Sequence, residues 1–551
     1  MKALICALNT KFVHSSLAPW YLKASVDKHV PNIQCDVYES TINESEEKIL
    51  TEILEKDYDL IGFSTYIWNV KMVLSLCGKI KKIKDTKIVL GGPEVSYNIE
   101  RLFAENNCFD YIISGEGEVP FAELCANKSP KLIDGLCYRE NGKVVVKAPC
   151  VSSEEPASPY TEEYFASLNG RIAYIETSRG CPYHCAFCLS GRCGTVRFFD
   201  VENAKRNIIS LAKGGVKTIK FVDRTFNADK ERAREIFSYI IDNYGKEIPT
   251  GVCFHFELEG DILDKETIEL LSQAPRGSIQ VEVGLQSFNE NTLRAINRKS
   301  KTERLCENVK SLLSHENIHV HIDLIAGLPY EDYKSFSKSF NKALSLRPHM
   351  LQFGFLKLLY GSDLREKADE FFYDYDENPP YEIKSTKWLT SDELKSMHTT
   401  EDFFDRFYNS GRFLRTVDYI CELFDDPFDL FKGLGEYVKL NEKEHSLDEF
   451  TRLIFDYLLD DKRIDPSMLR DCMALDRLAS NRMGNLPEFL KIHSPKLKEY
   501  LNFLEENPKT KKKSGVKRAI TLLKTKKAAV YVDYEEKNPV TGQYNLNEIK
   551  I

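Results

Sequence analysis

The chain has no apolar run long enough to span a bilayer, so no membrane-crossing segment is expected. It also lacks an excess of basic charge. With 84 acidic residues against 76 Lys and Arg, the formal net charge is −8, which gives no general attraction to nucleic acid or to an anionic membrane. Internal repeats are absent, which excludes a solenoid. Cysteine is sparse and scattered: fifteen residues in 551, of which only three cluster. That distribution argues against a disulfide scaffold and for a reducing, cytoplasmic compartment. The first nine residues read as a strand, too short for the apolar core of a signal peptide. At 551 residues the chain exceeds one hydrophobic core, and about three domains are expected.

The three clustered cysteines are the strongest signal present. Cys181, Cys185 and Cys188 stand four and three residues apart in Arg179-Gly180-Cys181-Pro182-Tyr183-His184-Cys185-Ala186-Phe187-Cys188, directly after a strand-like run. At this spacing one loop can aim three thiolates at a single point, as a metal centre requires. Three protein ligands are one short of a closed site, so a cubane iron–sulfur cluster held here would keep one iron free. A structural zinc site completed by His184 or Cys193 is the alternative, and would make the chain a zinc-stabilised binding protein.

The same loop resembles the radical S-adenosylmethionine (SAM) signature, Cys-x-x-x-Cys-x-aromatic-Cys, with Phe187 in the aromatic place. The resemblance implies a [4Fe–4S] cluster on the three cysteines, SAM on the open iron and an external one-electron reductant. Alternating strand and helix signals from 171 to about 365 fit its fold, a partial (β/α)6 barrel. Strands are expected over 171–177, 216–222, 251–258, 278–284, 318–327 and 349–356, with helices near 200–213, 229–243, 264–273, 290–314 and 331–346. Polar residues at the strand ends face the barrel mouth, and the resemblance implies SAM contacts from Phe187, Asp223, Glu282, Gln286 and Asp323.

Residues 1–148 read as a doubly wound α/β domain, Rossmann-like, with parallel strands at 2–8, 34–39, 60–65, 87–90 and 111–114. A hairpin is expected over 132–147, turning at Asn141-Gly142. Two strand ends carry glycine, in Gly91-Gly92-Pro93 and Gly115-Glu116-Gly117-Glu118, where a backbone can approach a ligand closely. Placed ahead of the cysteine loop, these look like the cobalamin-binding domain joined to many radical SAM enzymes. That resemblance implies cobalamin contacts from His14, Ser64, Thr65, Gly91, Gly92, Gly115, Glu116 and Gly117. The Asp-x-His-x-x-Gly motif of classical cobalamin domains is missing from the first strand–helix loop, so no histidine is expected on the lower cobalt face.

Residues 149–169 read as a linker. Residues 366–551 read as a mostly α accessory domain that ends in a β-hairpin, with a basic stretch from Lys509 to Lys527 taken as a solvated linker. The expected function is that of a cobalamin-dependent radical SAM enzyme that methylates an unactivated carbon of a small molecule or peptide. A cobalamin-assisted cyclisation or rearrangement without methyl transfer is the alternative within this class. Neither the substrate nor a catalytic residue is legible in the sequence.

Overall fold

A computed structural model describes residues 1–482, 484–507, 510, 512, 513 and 515–550. By internal contacts the chain divides into two compact units. The first comprises residues 1–259, 296–298 and 356–384; the second comprises 260–295, 299–355 and 385–551.

The first unit opens with a seven-stranded sheet. Its strands are β1 (Lys2–Asn9), β2 (Gln34–Thr41), β3 (Leu60–Ser64), β4 (Lys87–Gly91), β5 (Tyr111–Ile113), β6 (Leu136–Glu140) and β7 (Lys143–Val145), in the order β2-β1-β3-β4-β5-β6-β7. The first five are parallel and the last two antiparallel. β1 is almost wholly apolar and buried along its length, as a parallel strand covered by helices on both faces must be. Strand order reverses between β1 and β3, the switch point beside which such sheets bind ligands. The expected hairpin is present; Asn141 and Gly142 both take positive φ (52° and 77°), as its two-residue turn demands.

The expected linker is not free chain. Cys150 accepts the Glu116 N–H and donates its own N–H to Ser114, and Glu162–Leu168 is a helix capped by Thr161.

Past it come β8 (Ala173–Ile175), the short antiparallel pair β9 (Ser178–Arg179) and β10 (Arg197–Phe198), then β11 (Thr218–Phe221) and β12 (Cys253–Leu258). In this unit β8, β11 and β12 pair in parallel.

The second unit holds β13 (Ile279–Gln286), β14 (His319–Ala326) and β15 (Met350–Phe355), also parallel. Within each unit these parallel strands neighbour one another in chain order, β8-β11-β12 in the first and β13-β14-β15 in the second. Helices fill the connections, and four of them start on side-chain caps: Asp200, Asp229, Asp264 and Asp332 each accept an N–H from the first turn. One expected helix is broken in two, Glu290–Ala295 and Thr302–Ser314, with Asn297 at a φ of 57° between them.

Within the second unit the C-terminal helices pack on β15 through phenylalanine. Phe340 lies 4.9 Å from both Phe404 and Phe428 and 5.6 Å from Phe353 of β15, in the tilted and edge-on arrangements aromatic rings prefer. Past β15 in the chain, β16 (Asp374–Tyr375) and β17 (Ile383–Ser385) form a two-stranded ribbon. The chain ends in a three-stranded antiparallel sheet of β18 (Arg518–Leu522), β19 (Ala528–Lys537) and β20 (Tyr544–Lys550), not a hairpin alone. The basic stretch supplies the extra strand. Arg518 is spent on Asp533 of β19 at 2.6 and 2.7 Å, so this part is not a solvated linker. Lys509 and Lys511 of the same stretch lie outside the described residues.

Candidate functional site

The cysteine loop is fastened before it begins. Asp223, just past β11, accepts the Thr177 N–H at 2.9 Å and the hydroxyls of Thr177 and Ser178 at 2.7 and 2.6 Å. Burial pushes this carboxyl's pKa up and the three donors oppose it. Asp223 therefore pins the end of β8; its oxygens are turned to the chain, a different role from the ligand contact expected of it. Gly180 follows at a φ of 100°, where a Cβ would stand 2.4 Å from the Thr195 carbonyl oxygen, so only glycine fits.

Between the cysteines, Ala186 donates its N–H to the Ile296 carbonyl and accepts one from Leu364, both at 2.9 Å. The sulfurs have partners suited to thiolates. Ser190 N–H donates to Cys188 Sγ at 3.4 Å, and Cys181 Sγ lies 3.3 Å from the Thr225 hydroxyl. Arg298 reaches Cys185 Sγ at 3.7 Å while donating to Glu259 at 2.7 Å. Glu259 is buried and the Arg298 side chain is only 10% exposed. Burial raises the Cys185 thiol's pKa and the Arg298 charge counters it.

All three cysteines are unbridged and partly exposed, with Phe187 half-buried among them and His184 exposed. Three unbridged thiols on one loop, two of them receiving N–H donors, fit thiolate ligation of a metal centre.

In the second unit Glu282, Gln286, His321 and Asp323 come together on β13 and β14. Glu282 is opposite His321 in the ladder. His321 Nε2 is 2.9 Å from Asp323 and its Nδ1 is 3.8 Å from Glu282. Burial raises the Asp323 pKa, and His321 partly offsets it. Gln286 sits at a register shift with a φ of 70°, a strained conformation for a residue with a side chain. Its buried Oε1 has no hydrogen-bond partner among the described residues. An unpaired buried amide held in strained backbone is what a ligand-facing position looks like without its ligand.

The N-terminal loops depart from expectation in their glycines. A Cβ on Gly92 would lie 2.5 Å from the Thr65 carbonyl oxygen, one on Gly115 2.3 Å from that of Cys150, and one on Gly117 3.0 Å from Leu22. Their lack of a side chain serves the chain's approach to itself; Gly91 alone of the four has nothing within 4 Å. Thr65 is buried, its N–H bonded to Gly91, and Ser64 accepts from Asn69. His14 turns to β8, with Nδ1 2.8 Å from the Tyr174 hydroxyl, and burial lowers its pKa. Glu116 bonds Arg197 at 2.7 and 2.9 Å.

At the switch point stand aromatics that sequence reasoning missed. Tyr66 and Trp68 stack at 4.3 Å after β3, and Trp68 and Phe12 are 42% and 64% exposed. Two large aromatic residues straight after a strand that ends in Ser-Thr were the legible sign. Arg298 and Glu259 were also missed as a pair, because 39 residues separate them in sequence. The segment past β15 closes on the Gly91–Glu94 loop: the Tyr381 hydroxyl donates to buried Glu94, and the Tyr97 ring blocks any Cβ at Gly361.

Comparison with known proteins matches three family models in succession. They are a B12 binding domain over residues 4–125, the radical SAM superfamily over 175–343, and a protein of unknown function (DUF4080) over 369–539. The chain is similar to the 2-(S-pantetheinyl)-carbapenam-3-carboxylate methyltransferase of Streptantibioticus cattleyicolor. The two are 26% identical over 338 residues, 54% of this chain and 47% of that protein, so the chain spans about half of that relative's length.

Among solved structures it resembles TsrM from Kitasatospora setae, a radical SAM methyltransferase with cobalamin and a [4Fe–4S] cluster bound. The TM-score is 0.54 and the identity 18%, covering 67% of this chain and 75% of that one. It also resembles OxsB, a cobalamin-dependent SAM radical enzyme with aqua-cobalamin and SAM bound. There the TM-score is 0.58 and the identity 14%, covering 92% and 80%. At these identities the two structures speak for the fold.

Proposed function

We propose that this chain, which belongs to the radical SAM superfamily and carries a B12-binding domain ahead of its radical SAM domain, is a cobalamin-dependent radical SAM methyltransferase. The observation that carries the reading is the cysteine loop itself: three unbridged thiols after β8, with a part-buried guanidinium on Cys185. When bound, a [4Fe–4S] cluster with SAM supplies a carbon-centred radical, and cobalamin supplies a methyl group.

The chain's own work on this reading is holding and orienting. Cys181, Cys185 and Cys188 would ligate the cluster, leaving an open position for SAM. Arg298, neutralised by Glu259, keeps donors beside Cys185 that also suit a carboxylate such as SAM's. Phe187, Glu282, Gln286 and Asp323 are assigned to SAM, and Asp223 to positioning the loop. The orphaned Gln286 oxygen supports that assignment. The exposed Phe12 and Trp68, with Ser64, Thr65, His14 and the Gly91 and Gly115–Gly117 loops, are assigned to the edge that meets the corrin. The substrate is assigned to small molecules or peptides, the electron to an external reductant, and the compartment to the cytoplasm. Domain boundaries at 148, 169 and 365 belong to the same reading. Among the described residues no helix is long and apolar enough to cross a membrane.

The test uses anaerobically purified full-length protein, reconstituted with iron, sulfide and hydroxocobalamin and supplied with methyl-deuterated SAM, a reductant and an extract of small molecules and peptides. The expected outcome is 5′-deoxyadenosine together with a deuterium-labelled product. Release of 5′-deoxyadenosine without label transfer would favour the cyclisation or rearrangement alternative. A protein that takes up zinc in place of iron would overturn both.

A further inference from the structure

We propose that Arg179 is a positioning residue that ties the cysteine loop to the Gly115–Glu118 loop, so that cluster assembly and corrinoid binding favour each other. This rests on the function proposed above. Arg179 lies two residues before Cys181, donates hydrogen bonds to Glu118 and Glu176 and pairs its charge with a third carboxylate, Glu116. Its contacts are Glu116 at 3.0 Å, Glu118 at 2.8 Å and Glu176 at 2.8 and 3.0 Å. The Arg179 side chain is 19% exposed, and those of its partners 16%, 13% and 13%. An exposed pair would be screened and worth little; these groups are largely withdrawn from water, where losing one partner strands the others.

The network has a geometric reason to be there. β9 and β10 place Arg179 directly opposite Arg197, and two like charges facing each other across a strand pair repel. Glu116 pairs with both, accepting hydrogen bonds from Arg197 and lying 3.0 Å from the Arg179 guanidinium. Its position in the chain is the informative part. Glu116 separates the two glycines past β5, at the sheet edge where a doubly wound domain binds its ligand. Arg179 is separated from the first cluster cysteine by Gly180 alone. Because the guanidinium offers its N–H groups in a rigid plane, displacement of either loop misaligns bonds to the other. Any resulting effect of one ligand on the other must be reciprocal.

The experiment measures the affinity of the full chain for hydroxocobalamin, by equilibrium dialysis, with the iron–sulfur cluster reconstituted and with the iron removed by chelation. Wild-type protein is expected to bind at least about fivefold more tightly with the cluster in place. That ratio should fall to near one in Arg179→Gln and Glu116→Gln, and be partly restored in Arg179→Lys, which keeps the charge and loses the planar fork. An undiminished ratio in Arg179→Gln, or a wild-type ratio of one, overturns the proposal.

If Arg179→Gln fails to fold, Glu118→Gln leaves Arg179 with two carboxylates and must still lower the ratio; an unchanged ratio there overturns it as well. Wild-type protein that takes up no hydroxocobalamin removes the cobalamin function together with the coupling. Uptake indifferent to iron removes the coupling alone.

Discussion

The cysteine loop and the Gly115–Glu118 loop both carry short, recognisable motifs at strand ends, yet their signature residues serve opposite purposes. In the first, the chain's backbone and polar groups fasten everything around the cysteines and leave the thiols unbridged. In the second, the signature residues are themselves the fastening: Gly115 makes room for Cys150, and Glu116 and Glu118 bind arginines. A reactive side chain declares its chemistry wherever it stands. A glycine declares only that something comes close, and the neighbour can be a ligand or the chain itself.

The largest expected effect tests the first half of that contrast. Replacing Cys181, Cys185 and Cys188 together by Ala should abolish the broad visible absorption of the reconstituted protein and all SAM cleavage, with little change in folding. Retained iron in the triple variant would break the comparison at its root.

Next comes the glycine half. Gly92→Ala and Gly115→Ala each drive a Cβ to 2.5 Å or less from a backbone oxygen at positive φ, and should cost roughly 3 kcal/mol or more. Gly91→Ala meets nothing within 4 Å and should shift a urea midpoint only slightly, while still being free to lower corrinoid uptake. If all three variants unfold alike, the distinction between glycines spent on the chain and a glycine facing open space is wrong.

The same contrast holds for two buried carboxyls. Glu331 receives both Ser287 and Ser339 on one oxygen, and its other oxygen has no partner among the described residues. Burial raises its pKa from 4.5 to about 7. In this window the unfolded chain gives up its proton first, so stability should fall as pH rises from about 4.5 and the full cost, on the order of 3 kcal/mol, should stand above pH 7. Glu331→Gln should remove that slope. Denaturation at pH 5 and pH 8 decides, and an equal loss in variant and wild type would clear Glu331 of the role.

Asp223, with donors on both oxygens, should behave differently. Asp223→Asn places an amide where an acceptor is needed and should cost about 2 kcal/mol and loosen the cysteine loop. Iron released faster to a chelator would show the second effect. Unchanged release would reduce Asp223 to a purely structural group.

Local patterns were sufficient for much of this protein. The spacing of Cys181, Cys185 and Cys188, the alternation of strands with helices and the Asn141-Gly142 turn were all legible, because each depends on residues within a few positions of one another. Tertiary structure decided what depends on distant partners. Arg298 meets Glu259 and Cys185, Asp223 meets Thr177, Glu94 meets Tyr381, and Glu116 meets Arg179 and Arg197. It also decided that residues 518–522, inside the basic stretch, form a strand, since a partner in β19 was needed to take up Arg518. A side chain's chemistry is intrinsic and can be read in place. The task it performs depends on which group the fold brings within hydrogen-bonding distance, and separation along the chain hides that pairing.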